Sequence, residues 1–283
     1  MNDVMQETGW AKINLALHVR ARRSDGYHDI ETLFAFVDGG DGIVAEVAAA
    51  DSLTIAGEFA ERLSAGDDNL VMQVMALLRE RHGADRVPPL AVTLSKRLPV
   101  AAGIGGGSAD AAAMARLVRT QFLPELGDAA LTRIISPLGA DIAACVASST
   151  CLGVGVGEEL SAVPELRLAG TPVLLVNPRQ PVATAPVFAA WDGIDRGELF
   201  GDPAGRAQLL AARNDLQRPA TAQCPAIADV LLELGALRPW LARMSGSGAT
   251  CFALFDAAAE RDAAAVSLAQ SHPQWWQLAG ALR

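Results

Sequence analysis

Residues 99–113 read Pro-Val-Ala-Ala-Gly-Ile-Gly-Gly-Gly-Ser-Ala-Asp-Ala-Ala-Ala, a glycine-dense loop that runs directly into an alanine-rich helix. Gly103, Gly105, Gly106 and Gly107 let the backbone take positive φ angles and approach a ligand closely, so that several N–H groups can point into one concavity. Ser108 is expected to open the helix. A helix N-terminus carries roughly half a positive charge and unsatisfied N–H donors, a combination suited to phosphate. A turn shaped by tight packing is the plainer reading, but four glycines in five positions weaken local structure unless something must come close. Two other phosphate loops do not fit. No Gly-Lys-Ser/Thr occurs in the chain, which excludes a Walker A loop. Ser108 stands where a dinucleotide fingerprint has its third glycine, and no acidic residue sits at a strand end about twenty residues later, since Glu125 follows Pro124 in a loop.

The basic residues carry a second signal. Of the 23 lysines and arginines only Lys12 and Lys96 are lysine. Lysine is a compact point charge and arginine a planar fork, so a chain that otherwise uses arginine keeps lysine where geometry demands it; two solvated side chains are the plainer alternative. Tyr27 is the chain's one tyrosine and precedes His28 just after a tight turn. A flat ring beside an imidazole can stack on a base or simply decorate the surface. Asp141 follows Gly-Ala and, taken alone, reads first as a helix N-cap.

Composition bounds the rest. The chain has 283 residues, 51% of them hydrophobic, enough for one large or two modest domains with a substantial core. A net charge of −9 argues against a general nucleic-acid or anionic-membrane binder, but leaves room for a small anionic ligand held by local dipoles. Cys145, Cys151, Cys224 and Cys251 lack zinc-site spacing, and His18, His28, His82 and His272 form no ligand cluster, so no metal site and reduced, partly buried thiols are expected. The first eight residues lack the basic and apolar regions of a signal peptide, and no apolar run reaches membrane-spanning length, so a soluble cytoplasmic protein is expected.

Steps of hydrophobic patterning place these residues on elements. Ile13, Leu15, Leu17 and Val19 alternate as in a half-buried strand over 10–20, with Lys12, Asn14, Ala16 and His18 on its other face. Asp25-Gly26 forms a turn into a strand over 29–37, and further strands fit 43–48 and 52–56. Asp68-Asn69 caps a helix through Arg81. A strand over 90–95 leads into the glycine loop, with its helix over 108–119, another over 128–136, a short helical segment that starts at Gly139-Ala140-Asp141-Ile142 and a strand over 151–155. Pro164 and Pro172 flank a connection, which places the main boundary near 156–165. Beyond it the pattern gives a strand at 172–177, helices near 184–191, 205–213 and 225–234, a second small-residue loop at Arg243–Thr250, a strand at 250–255 and a helix at 257–270. That pattern is an α/β (α+β) chain of two domains, 1–160 and 161–283.

These segments together resemble the GHMP kinases, the superfamily of galactokinase, homoserine kinase and mevalonate kinase, whose phosphate loop follows Pro-x3-Gly-Leu-Gly-Ser-Ser. Ile104 takes the leucine position here. The extra glycine resembles the branch acting on a cytidine diphosphate conjugate of methylerythritol. The resemblance covers nearly the whole chain in ordered blocks: Ala11-Lys12-Ile13-Asn14-Leu15, Asp25-Gly26-Tyr27-His28, Asp68-Asn69-Leu70, Lys96-Arg97-Leu98-Pro99, Gly139-Ala140-Asp141, Asn214-Asp215-Leu216 and Ser245-Gly246-Ser247-Gly248. It implies an N-terminal ATP-binding domain of the ribosomal-protein-S5 type, a ferredoxin-like C-terminal domain, substrate in the cleft between them, and phosphoryl transfer from ATP, with Mg2+, to a methylerythritol hydroxyl. A monomer or homodimer, with a small-molecule substrate and neither nucleic acid nor membrane as partner, completes the expectation.

The resemblance also assigns roles. It makes Asp141 the base that takes the hydroxyl proton, with Lys12 lying against it and the reacting oxygens. It implies an ATP pocket from Pro99, Val100, Ala101, Ala102, Gly103, Ile104, Gly105, Gly106, Gly107, Ser108 and Ala109, with Asn69 and Lys96 at the nucleotide-base end; without it, Asn69 is a helix cap. It gives Asn14, Tyr27, His28, Phe188 and Thr184 to the substrate, the aromatic residues to cytosine. Phe34 reads equally as a cleft or a core residue. The chain departs from the family at Ala143-Ala144-Cys145, where many relatives have Pro-Val/Phe after the base, and at Ala101-Ala102, where some have glycine. Another small-molecule GHMP kinase, or a catalytically silent nucleotide-binding regulator on the same fold, is the alternative.

Overall fold

The computed structural model describes residues 4–199 and 205–283. In chain order the strands and helices are β1 (Met5–Arg22), β2 (His28–Val47), β3 (Ser52–Ala56), α1 (Leu70–His82), β4 (Leu90–Ser95), α2 (Gly106–Phe122), α3 (Asp128–Ile135), α4 (Ile142–Ala147), β5 (Cys151–Val154) and β6 (Glu159–Ala162). There follow β7 (Pro172–Asn177), α5 (Thr184–Ala189), α6 (Arg206–Ala211), α7 (Gln217–Gln223), α8 (Ala226–Ala236), β8 (Leu241–Met244), β9 (Cys251–Leu254), α9 (Ala258–Ser271) and β10 (Trp276–Ala281). They gather into two compact units, one from the described residues up to Ala11 with Gly40–Val100 and Gly105–Ser148, the other from Lys12–Gly39, Ala101–Ile104 and the described residues from Ser149 onward.

In the first unit, β4 pairs antiparallel with the C-terminal part of β2 and parallel with β3. Helix α2 packs against α1 and α4. Ala109 through Val118 are buried without interruption, which is why five of those ten residues are alanine: small side chains let neighbouring helices close in. Arg116 is buried among them with its guanidinium spent on the carbonyls of Cys145 (2.6 Å) and Thr8 (2.7 Å) and on Ser148 Oγ (3.1 Å).

In the second unit, β7, β8, β9 and β10 form an antiparallel sheet in the order β10-β7-β9-β8. Leu174, Val176, Met244 and Ala253 from its strands join Ile227, Val230 and Leu234 of α8 and Ala264 and Leu268 of α9 in one core. The N-terminal part of β2 pairs with β5, and β5 with β6. The half-buried reading of β1 is corrected. Ala11 through Val19 are buried on both faces, because Lys12, Asn14 and His18 find polar partners inside the fold and residues 213–215 bond along Leu17 as an added edge.

Three further boundaries differ from the sequence reading. The expected strand 43–48 is the continuation of β2. The helix expected at 108–119 begins at Gly106 and ends at Phe122, for reasons given below. The loop reading of 243–250 missed β8, and β6, α7 and β10 were unassigned. Among the described residues no disulfide joins the four cysteines, and all four are buried, more deeply than expected. Among the described residues no helix is long and apolar enough to cross a membrane.

Candidate active site

The exit of the glycine loop lies in the first unit. Gly105 adopts the left-handed conformation (φ 62°, ψ 23°) as N-cap of α2, so the helix starts two residues before Ser108. A glycine cap has no side chain to satisfy the first turn, and none does. The first intrahelical bond runs from the Ala109 N–H to the Gly105 carbonyl at 2.8 Å, so the N–H groups of Gly106, Gly107 and Ser108 have no acceptor within the helix. Those three amides and the helix dipole form a seat for an anion.

Behind that seat Lys96 is buried at 1% exposure. Its ammonium donates to Asp41 Oδ2 at 2.6 Å and Asp110 Oδ2 at 2.5 Å. Burial is the largest influence on Lys96 and opposes its charge, but the carboxylates of Asp110 and Asp41 outweigh it and raise its pKa above the ordinary value. Burial pushes the Asp110 carboxyl well above the usual carboxylate range. Neither aspartate was singled out in the sequence; Asp110, an acid inside an alanine run, carried the legible signal. Asn69 caps α1, accepting the Val71 N–H at 3.0 Å and donating to the Ser64 carbonyl at 2.8 Å. Asp141 is the N-cap residue of α4, yet its carboxylate makes no capping bond to that helix, so capping does not explain the residue.

The entry of the loop, Ala101–Ile104, lies in the second unit with Lys12. The Lys12 N–H donates to the Ile104 carbonyl (3.2 Å) and its ammonium to Asn14 Oδ1 (3.0 Å). Asn14 Nδ2 donates to Thr32 Oγ1 (2.7 Å), which donates onward to the Ala16 carbonyl (2.8 Å). Ser245 Oγ accepts the Asn14 N–H at 3.0 Å and donates to the Gly103 carbonyl at 2.8 Å. Gly103 (φ +74°) is pressed against the loop 245–248, where a Cβ would come within 2.4 Å of the Ser245 carbonyl oxygen, so no other residue fits. Asn214 in turn ties that loop by donating to the carbonyls of Met244 and Gly246, both at 2.8 Å. The second small-residue loop, whose role the sequence left open, thus braces the first.

The aromatic residues fall in the same unit. His28 lies 5.1 Å from Phe188 and 5.8 Å from Trp191, centroid to centroid, the latter edge to face. Burial, then the nearby Arg22 charge, lowers the His28 pKa. Trp191 was not foreseen. Tyr27 is 61% exposed at the tip of the β1–β2 hairpin, its N–H on Asp25 Oδ1 at 3.0 Å. Phe34 is buried at 1% exposure, its ring 5.2 Å from the Lys12 ammonium, and packs against Gly153 in the core. Thr184 Oγ1 pairs with Ser247 Oγ at 2.9 Å.

Open amides at a helix N-terminus after a glycine loop suit a phosphate, and an ammonium oriented by an asparagine suits charge that develops on a transferred phosphoryl group. The GHMP kinases N terminal domain matches residues 69–149, and the GHMP kinases C terminal domain matches residues 195–272. The chain belongs to the GHMP kinases. It has the two-domain α/β fold of that family, with the glycine loop inside the N-terminal match. A 4-diphosphocytidyl-2-C-methyl-D-erythritol kinase of Sphingopyxis alaskensis is 78% identical over 283 residues, all of both chains. Its namesake in Novosphingobium aromaticivorans is 54% identical, covering 99% of this chain and 93% of that one. A crystal structure of 4-(cytidine 5'-diphospho)-2C-methyl-D-erythritol kinase superposes with TM-score 0.78 at 30% identity, covering 98% of this chain and 99% of the other. A homoserine kinase from Cytophaga hutchinsonii shares the fold, with TM-score 0.69 at 14% identity, covering 100% of this chain and 96% of that one.

Proposed function

We propose that this GHMP kinase transfers the γ-phosphoryl group of ATP to the methylerythritol hydroxyl of 4-diphosphocytidyl-2-C-methyl-D-erythritol, in the cytoplasm, within non-mevalonate isoprenoid precursor biosynthesis. The observation that carries the reading is full-length 78% identity to a kinase of that name. We assign residues 1–160 to the ATP-binding domain and 161–283 to the C-terminal domain, and leave the choice of monomer or homodimer to solution measurement.

The phosphoryl group passes through a transition state with diffuse charge on its oxygens, so the protein contributes mainly position and electrostatics. Pro99 through Ala109 hold the phosphates, chiefly through the open amides of Gly106, Gly107 and Ser108, while Asn69 serves the nucleotide-base end. Asp141 takes the proton of the attacking hydroxyl, and its side chain is not consumed by capping α4. Lys12, oriented by Asn14, offsets the negative charge that develops on the transferred group. Tyr27, His28 and Phe188 hold the cytosine, Asn14 and Thr184 hold polar parts of the substrate, and Phe34 backs the site from beneath Lys12. Among the described residues no three His, Cys, Asp or Glu side chains cluster to hold a metal. When bound with the nucleotide, Mg2+ would neutralise charge on the phosphate oxygens held at the open amides of Gly106, Gly107 and Ser108.

An ADP-release assay with ATP and Mg2+ and a panel of the cytidine conjugate, homoserine and mevalonate tests the reading. Turnover on the cytidine conjugate alone is expected. Turnover on either other alcohol, or on none, overturns it.

A further inference from the structure

The two ends of the glycine loop are tied to each other inside the first unit. On the entry side, Asp41 Oδ1 accepts the N–H groups of Arg97 (2.6 Å) and Leu98 (2.8 Å), the residues just ahead of Pro99. Its other oxygen holds the Lys96 ammonium at 2.6 Å. On the exit side, Lys96 holds Asp110 of α2 at 2.5 Å, and a Cβ on Gly106 would come within 3.2 Å of the Lys96 Nζ, so the first residue of α2 rests on the ammonium. The exposures are 0% for Asp41, 1% for Lys96 and 3% for Asp110.

We propose that Asp41, Lys96 and Asp110 are positioning residues for the nucleotide's phosphates, a buried clamp that fixes the loop entry to the first turn of α2. The proposal rests on the ATP reading above. Three ionisable groups buried together are a poor way to gain stability, because the desolvation cost consumes most of the Coulombic gain and apolar packing does as well. They are an effective way to gain geometry. Each carboxylate has a fixed partner, and the loop between the two tethers has little freedom left before ATP arrives, so that the open amides are already convergent. The Lys96 ammonium acts from behind the loop, since two carboxylates at 2.5 and 2.6 Å and near-complete burial already engage it.

The charge count fits the same role. Lys96 and Asp41 balance each other, and Asp110 Oδ1 is buried without a hydrogen-bond partner, a poor environment for a full negative charge. A neutral Asp110 leaves no net negative charge behind the phosphate seat while Oδ2 still accepts from Lys96. The amide of asparagine can do the same.

ATP affinity by calorimetry, KM for both substrates and melting temperature are measured for Asp41→Ala, Asp110→Ala and Asp110→Asn. Both alanine variants are expected to weaken ATP binding at least about tenfold, with KM for the cytidine substrate within about twofold, and Asp110→Asn to recover ATP affinity to within about threefold. Should an alanine variant fail to fold, Asp110→Glu, which shifts the carboxylate by one methylene, carries the same expectation of weakened ATP binding. Lowered melting temperatures with ATP affinity unchanged overturn the clamp and leave the kinase reading intact. A wild-type protein that binds no ATP overturns both.

Discussion

Lys12 donates its ammonium to Oδ1 of Asn14 across 3.0 Å, two residues further along β1. The strand period of two places both side chains on one face, and Thr32 fixes the asparagine amide so that its oxygen can only face the lysine. The ammonium is therefore aimed before any ligand arrives. Replacing it by a neutral chain of equal length, Lys12→Met, is expected to lower kcat at least about a hundredfold while ATP affinity changes little, the signature of an interaction made chiefly in the transition state. Asn14→Leu, which removes the orienting oxygen but keeps the charge, is expected to lower kcat by a smaller factor. Steady-state kinetics with calorimetric ATP binding checks both, and undiminished turnover in Lys12→Met removes the lysine from the mechanism.

Asp141→Asn separates a base from a cap. Its carboxylate makes no capping bond to α4, so the substitution removes no helix cap. A general base contributes typically a hundredfold or more, and kcat is expected to fall by at least about that factor with nucleotide affinity nearly intact. A melting temperature lowered together with a normal kcat is the outcome that contradicts the role.

The cytosine assignment concerns binding rather than chemistry. His28 and Phe188 already lie 5.1 Å apart, while Tyr27 stands 61% exposed on its hairpin with its backbone pinned by Asp25. Tyr27→Ala and Phe188→Ala should each raise KM for the cytidine substrate with a much smaller change in kcat, because stacking is felt equally in ground and transition states. Stacked aromatic faces contribute about 1–3 kcal/mol per base in single-stranded nucleic acids, which sets the expected scale at roughly tenfold. A pure kcat defect in either variant contradicts the assignment.

What was legible in the sequence was local. The strands at 90–95 and 172–177 were read to the residue, since each is a short β-branched and leucine run bounded by Pro or Gly turns. The start of α2 was misplaced because glycine is the weakest ordinary helix former, whereas here Gly106 and Gly107 are carried into the helix by the packing of the alanines that follow. The bracing of the phosphate loop was invisible for a different reason. Ser245 reaches Gly103 across 142 residues and Asp41 reaches Arg97 across 56, and no periodicity encodes such a contact. The same holds for Trp191, whose apolar neighbourhood reads as ordinary core until His28 is found against it.

His18 gives the fold a dependence on pH that can be measured apart from activity. It is buried at 1% exposure, with Nδ1 3.1 Å from the Gly197 carbonyl and Nε2 accepting the Arg213 N–H at 3.3 Å. The carbonyl demands a proton on Nδ1 and the Arg213 amide demands a lone pair on Nε2, so the ring is held as one neutral tautomer. Burial, and next the Arg213 charge, lowers its pKa below the ordinary 6.5. The unfolded chain then binds a proton that the folded one refuses. Above about 6.5 the neutral ring costs nothing, and as pH falls below that value stability is lost until the folded pKa is reached, at no more than about 1.4 kcal/mol per pH unit for one histidine. Urea midpoints at pH 7.5, 6.5 and 5.5 are expected to fall with acidification, and His18→Asn, which offers one donor and one acceptor without titrating, is expected to flatten the fall. His28 is displaced in the same direction and should leave a residual slope. Identical slopes in the wild type and His18→Asn would show that the protonation resisted by the fold lies elsewhere.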